Sequence, residues 1–228
     1  MAFEFAPGYV IHRVAWGETG ALVDVLLRDQ GRLTLSARGV HKPKSKLKPL
    51  LEPFTPLLLS ARGEGPIPLL IGLEVSARVA PLRASALIAG LYLNELLLHL
   101  LPRQEPISAL FASYARTLAT LREDNPKVAL ALRQFERVLL ETLGVAPDWR
   151  RDARSDWVEA RAFYRLIDRD GFHRCAEISG DAINGSELIA ISASEPFEPT
   201  PAINRMFRRL IDDALGGRPL RSRELWPK

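Results

Sequence analysis

Through residue 80 the chain alternates short apolar stretches with clusters of turn residues, the pattern of a small antiparallel β domain. Five strands are predicted: Tyr9 to Trp16, Ala21 to Leu27, Arg32 to Arg38, Phe54 to Arg62 and Leu69 to Val75. Gly17-Glu18-Thr19-Gly20 and Gly63-Glu64-Gly65-Pro66 supply turns, and Asp29-Gln30-Gly31 reads as a three-residue hairpin loop ending in glycine. In the third strand Leu33 and Leu35 alternate with Arg32, Thr34 and Ser36, so one face is expected inside and one outside. Five such strands close most simply into a small barrel, and the OB-fold is the common small barrel that binds nucleic acid.

From Pro81 the period changes to that of helices. Ala84 to Leu101 is apolar nearly all round, which predicts a buried helix. Pro106 to Arg122 gathers Phe111, Tyr114, Leu118 and Leu121 on one face. Asn125-Pro126 reads as a cap followed by proline in the first turn, opening a helix that runs to Leu143 with Gly144 as its C-terminal cap. Its core stripe is Val128, Leu132, Phe135 and Leu139. Three consecutive helices with short links point to a bundle. Residues 147–160 lack periodicity and read as a loop. Phe163 to Asp168 and Phe172 to Ala176 flank Arg169-Asp170-Gly171, a hairpin signal. Ser186 is placed to cap a short helix through Ala190. Thr200-Pro201 opens the last helix, with Ile203, Met206, Phe207, Leu210, Ile211 and Ala214 on one face and Gly216-Gly217 as its end. The expected class is α+β: an N-terminal OB-fold β-barrel over residues 1–80, then a mostly α-helical domain over 81–228 with a small β-hairpin insertion near 163–176.

Charge changes this picture at one place. The net charge of +4 is modest, but its excess lies at the front. Residues 1–80 hold ten Lys/Arg against seven Asp/Glu, and residues 81–228 hold 21 against 20. No Asp or Glu falls between Asp29 and Glu52, and this stretch carries Arg32, Arg38, Lys42, Lys44, Lys46 and Lys48. Pro43 and Pro49 argue against helix there, so the lysines are expected on extended or turning backbone, every second residue. A solvated lysine loop has the same composition. At the end of an OB barrel, however, such a strip suits the regularly spaced phosphates of a nucleic acid. The nearest aromatics in sequence, Trp16 and Phe54, read equally as core or as stacking residues.

Catalytic chemistry finds little support. No phosphate-binding loop, dinucleotide fingerprint or nucleophile elbow is present. His12, His41, His99 and His173 lack metal-ligand spacing, and Asp168 and Asp170 read as turn residues. Glu95, within the apolar helix, reads as a structural group at a helix junction rather than a general acid. Cys175 is the single cysteine, so neither an internal disulfide nor a cysteine-based zinc site is expected, as in a reducing cytoplasm. The start, MAFEFAPGYV, lacks the basic and apolar regions of a signal peptide. The run Leu87 to Leu101 is interrupted by Asn94, Glu95 and His99 and is shorter than the roughly 20 residues of a membrane span.

Four blocks carry a family resemblance: GETGALVDVLLRDQGRLTLSARGVHKPKSKLKPLLEPFTPLLL (17–59), GLYLNELLLHLL (90–101), LRQFERVLLETLG (132–144) and GGRPLRSREL (216–225). In order and spacing they resemble the RecO family of recombination mediators. The resemblance implies an N-terminal OB-fold and a helical domain. It implies binding of single- and double-stranded DNA, annealing of complementary strands, and contacts with single-strand DNA-binding protein and with RecR that help load recombinase onto coated strands. No enzymatic turnover and no cofactor are expected, and the location implied is cytoplasmic and nucleoid-associated. Many members carry two CxxC pairs after the third helix; here Val145 to Cys175 offers only Cys175, so a zinc-free member is expected. A passive OB protein that binds RNA or serves a structural role is the rival reading.

The resemblance also brings in a partner, the acidic, apolar-tipped C-terminal tail of single-strand DNA-binding protein. On the Pro126–Leu143 helix, Leu130, Arg133, Arg137 and Leu140 form a second stripe beside the core stripe. Arg133 and Arg137 repel at i, i+4 unless an acidic group meets them, and arginine grips a carboxylate with two parallel hydrogen bonds. Arg133 ranks first, because the family's LRxFE-like segment places a basic residue there. Glu136 and Glu141 are the internal competitors, and Arg205 to Arg209 is the alternative face.

Overall fold

β1 (Ala2–Trp16) is long enough to serve two neighbours. Its later part runs antiparallel to β2 (Gly20–Leu27), from Gly8↔Leu27 to Trp16↔Gly20. Its earlier part pairs with β4 (Leu57–Arg62), from Ala2↔Arg62 to Gly8↔Leu57. Gly8 therefore sits in both ladders, and a Cβ there would stand 2.5 Å from Leu27 Cδ2 and 2.9 Å from the Leu26 carbonyl. β3 (Gly31–Ala37) continues antiparallel to β2. β5 (Leu69–Val75) runs antiparallel to β4 and meets β3 in parallel at Ser36↔Leu69, closing the barrel in the order β1-β2-β3-β5-β4. This is the five-stranded OB-fold. In this computed structural model, residues 2–175 and 180–226 are described.

Period-2 alternation fills the barrel. Val10, Val23, Val25, Leu27, Leu33, Leu35, Leu57 and Leu59 are buried together in its core. β1 begins at Ala2 rather than at the expected Tyr9. Pro7 and Gly8 argue against a strand in sequence, but here both pair with β4, and Gly8 with β2 as well. β4 begins at Leu57, not Phe54. Phe54 instead takes a positive φ of 74° and lays its ring against Gly90.

The chain divides into two compact units. The first runs to Pro126 and also includes the segment from Leu220. Strand does give way to helix near residue 80, but this compact unit continues through α1 (Ala84–Leu100) and α2 (Ser108–Thr120). A buried polar relay shows why. Asn94 Nδ2 donates to the Ile11 carbonyl of β1 (2.9 Å), and the Tyr114 hydroxyl donates to Asn94 Oδ1 (2.6 Å). The Tyr9 ring packs edge-on against Tyr114 at 5.2 Å and beside Phe111 at 5.6 Å. Burial pushes the Tyr114 hydroxyl pKa far up, so it remains a donor at any ordinary pH. The final segment returns to this unit, where the N–H groups of Arg221 and Ser222 donate to Glu95 of α1. Glu95 is thus a structural acceptor.

The second unit, Lys127–Pro219, holds α3 (Val128–Thr142), β6 (Phe163–Ile167), β7 (Gly171–Cys175), β8 (Ile183–Asn184), α4 (Gly185–Ala193) and α5 (Pro201–Leu215). α3 packs with α5, whereas α1 and α2 pack on the barrel, which corrects the three-helix bundle. Asn125-Pro126 does not cap α3: the helix starts at Val128 after Lys127, without a side-chain cap. α4 is capped by Asn184 in a reciprocal box with Glu187, not by Ser186. Thr200 and Pro201 do open α5, and Gly216 ends it in the left-handed conformation. The hairpin forms as β6 and β7, and β8 adds a third strand beside β6. The expected end of its second strand, Ala176, lies outside the described residues.

Candidate nucleic-acid interface

The loop after β3 alternates anchors with cations. Gly39 reverses the chain at φ 70°. Val40 and Leu51 then enter the barrel core, and Leu47 packs against it. The His41 N–H donates to the Thr19 carbonyl (2.9 Å), tying the loop to the β1–β2 turn. Between these anchors Arg38, Lys42, Lys44, Lys46 and Lys48 are all exposed. The loop is therefore a pinned flap whose apolar residues face the barrel and whose cations face water.

Nor is its charge cancelled locally. Glu52, the carboxylate that ends the strip, is taken by Arg13 at 2.9 Å, and Arg13 also donates to the Lys48 carbonyl at 2.9 Å. Among the described residues, none of the four lysines or Arg38 forms an ion pair. One detail differs from expectation. Lys48 opens a one-turn 3-10 helix, Lys48–Leu51, with Pro49 in its first turn, where a missing N–H costs nothing. Pro49 starts a short helix rather than excluding one.

Arg32 is elsewhere. It is half-buried, and its guanidinium donates to the Leu98 carbonyl in the last turn of α1. That carbonyl has no partner within its helix, and a cation suits the negative end of the helix dipole. Burial lowers the Arg32 pKa, Asp24 offsets part of the shift and Arg103 adds to it. Six residues of strand put Arg32 about 20 Å from Arg38. The structure thus gathers five of the six candidate cations and gives Arg32 a helix-capping task. The two candidate aromatics also separate: Phe54 is 9% exposed and Trp16 62%. No sequence signal distinguished them, because each stands at one end of a predicted strand.

The candidate partner residues on α3 are more enclosed than a surface stripe. Leu140 is fully buried, so it belongs to the core; Leu130 is half-buried. Arg133 pairs with the buried Glu136 at 2.8 Å and lies over the Phe207 ring at 5.6 Å. Arg137 pairs with Glu141 at 2.7 Å and donates to Ser194 Oγ at 2.7 Å. Each arginine thus has its own carboxylate, which relieves their mutual repulsion. Beside Leu130 an open groove is lined by Lys127, Val128, Pro196, Phe197 and Pro199.

No group of three or more His, Cys, Asp or Glu able to hold a metal occurs among the described residues. Among the described residues, no helix is long and apolar enough to cross a membrane.

A closed OB barrel with a pinned, uncompensated basic loop defines an OB-fold protein whose loop suits a polyanion. The chain belongs to the RecO family. The family's "Recombination protein O N terminal" region matches residues 1–76, and its "Recombination protein O C terminal" region matches residues 83–188. The DNA repair protein RecO of Cellvibrio japonicus is 36% identical over 99% of this chain and 98% of its own. That of Marinobacter nauticus is 36% identical over 99% of this chain and 94% of its own. That of Shigella flexneri is 35% identical over 96% and 91%.

Proposed function

We propose that this chain is a DNA repair and recombination mediator that acts without turnover, in the cytoplasm at the nucleoid. It binds single- and double-stranded DNA along Arg38, Lys42, Lys44, Lys46 and Lys48. It anneals complementary strands and helps load recombinase onto strands coated by single-strand DNA-binding protein. The observation that carries this reading is the exposed basic loop, free of internal carboxylates, on an OB barrel of the RecO family. Relatives at 36% identity over nearly full length are named DNA repair proteins.

Annealing is the discriminating test. Complementary labelled oligonucleotides should pair faster with the protein than without it, and pairing should persist when the strands carry single-strand DNA-binding protein. A passive nucleic-acid binder would bind both strands and leave the pairing rate unchanged.

The partner reading extends this to RecR and to the acidic tail of single-strand DNA-binding protein. For the tail, the supporting features are the groove beside Leu130 and the cation of Lys127 at its rim. Farther along the same helix, Arg133 and Arg137 are already held by Glu136 and Glu141. Binding of a tail peptide to the full chain, with and without Leu130→Asp, tests this contact.

A further inference from the structure

We infer that the outer face of β1 and β2 beside the basic loop is a base-stacking shelf centred on Trp16, which recognises unpaired bases of a single strand. The inference rests on the proposed DNA binding and adds the residue that reads single-strandedness.

The register places the shelf. Val14 pairs with Leu22, and Leu22 with Ser36, so these three share one outward rung. Trp16 is two residues beyond Val14 on the same strand, hence on the same face. Val14 is 47% exposed and Trp16 62%, large fractions for apolar side chains on a sheet. Trp16 pairs with Gly20, which has no side chain to cover the indole. Ala21, the next residue of β2, pairs with Ala37, so Arg38 follows at the same end of the barrel. Two strand spacings separate β1 from β3, about 10 Å. The His41 N–H bond to Thr19 fastens the basic loop beside this turn.

The arrangement therefore sets an uncovered indole and two aliphatic side chains next to a line of cations. A single strand presents the same two chemistries side by side, flat apolar bases and charged phosphates. A duplex offers its phosphates but keeps its bases stacked inside. The lysines alone would bind both forms; Trp16 adds affinity only where bases are free. Stacking is tolerant of sequence, so the shelf gives strand-state selectivity without base selectivity.

The experiment compares three probes of equal length on the full chain: oligothymidylate, an abasic single strand, and a duplex. Trp16→Ala should weaken oligothymidylate binding roughly tenfold while leaving the abasic strand and the duplex unchanged, and Trp16→Phe should restore most of the loss. An equal loss on all three probes, or no loss on any, overturns the shelf. Failure of the underlying reading looks different: wild-type protein would then bind none of the probes, or would bind them with affinity indifferent to loss of Lys42, Lys44 and Lys46.

Discussion

Ser222 donates both its backbone N–H (2.9 Å) and its hydroxyl (2.5 Å) to Glu95 Oε2, across 127 residues of chain. The Arg221 N–H donates to the other carboxylate oxygen at 2.8 Å. One carboxylate thus fastens the segment that returns after the second unit to α1 of the first. Replacing Glu95 with Ala should lower stability by about 2 kcal/mol, the scale of a few partly exposed charge-assisted bonds, read as a shift in denaturant midpoint. Burial on its own would raise the Glu95 pKa, but the bonds from Ser222 and Arg221 and the nearby His99 outweigh it and hold the carboxyl below its usual value. The folded pKa is therefore the lower one. Glu95's contribution is complete above the ordinary carboxylate range and is lost as pH falls through the depressed value. The stability gap between wild type and Glu95→Ala should be constant near neutrality and shrink below about pH 4.

The basic loop predicts a salt dependence. About five phosphate contacts give a slope of roughly −3 to −4 for log affinity against log salt on a single strand. Changing Lys42, Lys44 and Lys46 together to Ala should flatten that slope by about 2. An unchanged slope in a salt titration would move the DNA site off this loop.

Arg32 and Arg38 begin and follow the same strand but are expected to behave differently. Arg38→Ala should flatten the salt slope by roughly 0.7 and leave thermal stability alone. Arg32→Ala should leave the slope alone and cost about 1–2 kcal/mol, because the Leu98 carbonyl loses its charged donor. Parallel binding and melting curves of the two variants check both statements.

In the second unit, Arg133 is 12% exposed and Glu136 fully buried. Removing one partner of such a pair leaves the other charge in a poor environment, a loss of about 3–5 kcal/mol. Arg133→Ala should therefore unfold the second unit more readily, and weakened tail-peptide binding by that variant would need to be separated from this loss. Replacing Arg133 with Met and Glu136 with Leu together should recover much of the stability. If the double variant is folded and still binds the tail peptide like wild type, Arg133 is not its contact.

Removal of metal should have no effect. Purified protein should carry well under one zinc per chain, and chelator should leave the melting temperature unchanged. One zinc per chain by elemental analysis would contradict this.

Local patterns determined a good deal. The inward Leu33, Leu35 and Ala37, the turn residues around Gly31, the Thr200-Pro201 start and the Gly216 stop of α5 each act within a few residues, so they can be read directly from the chain, whereas Thr34, expected outside, is buried and donates to Asp24. The basic loop was equally legible, because a run of cations without carboxylates is a property of sequence neighbours. What the sequence left open concerned direction and partnership. Arg32 and Lys42 are both cations of one carboxylate-free stretch, but one meets the end of α1 and the other meets water. Phe54 and Trp16 both flank strands, yet one packs on Gly90 and the other stands uncovered beside Gly20. Glu136 was legible as a competitor for Arg133, three residues on along the helix, but only the packing of α5, which sets Phe207 against Arg133, encloses the pair. In each case the deciding contact joins residues or elements that local periodicity does not relate. Which side chains reach water is set by the packing of whole elements, and only the tertiary structure contains that information.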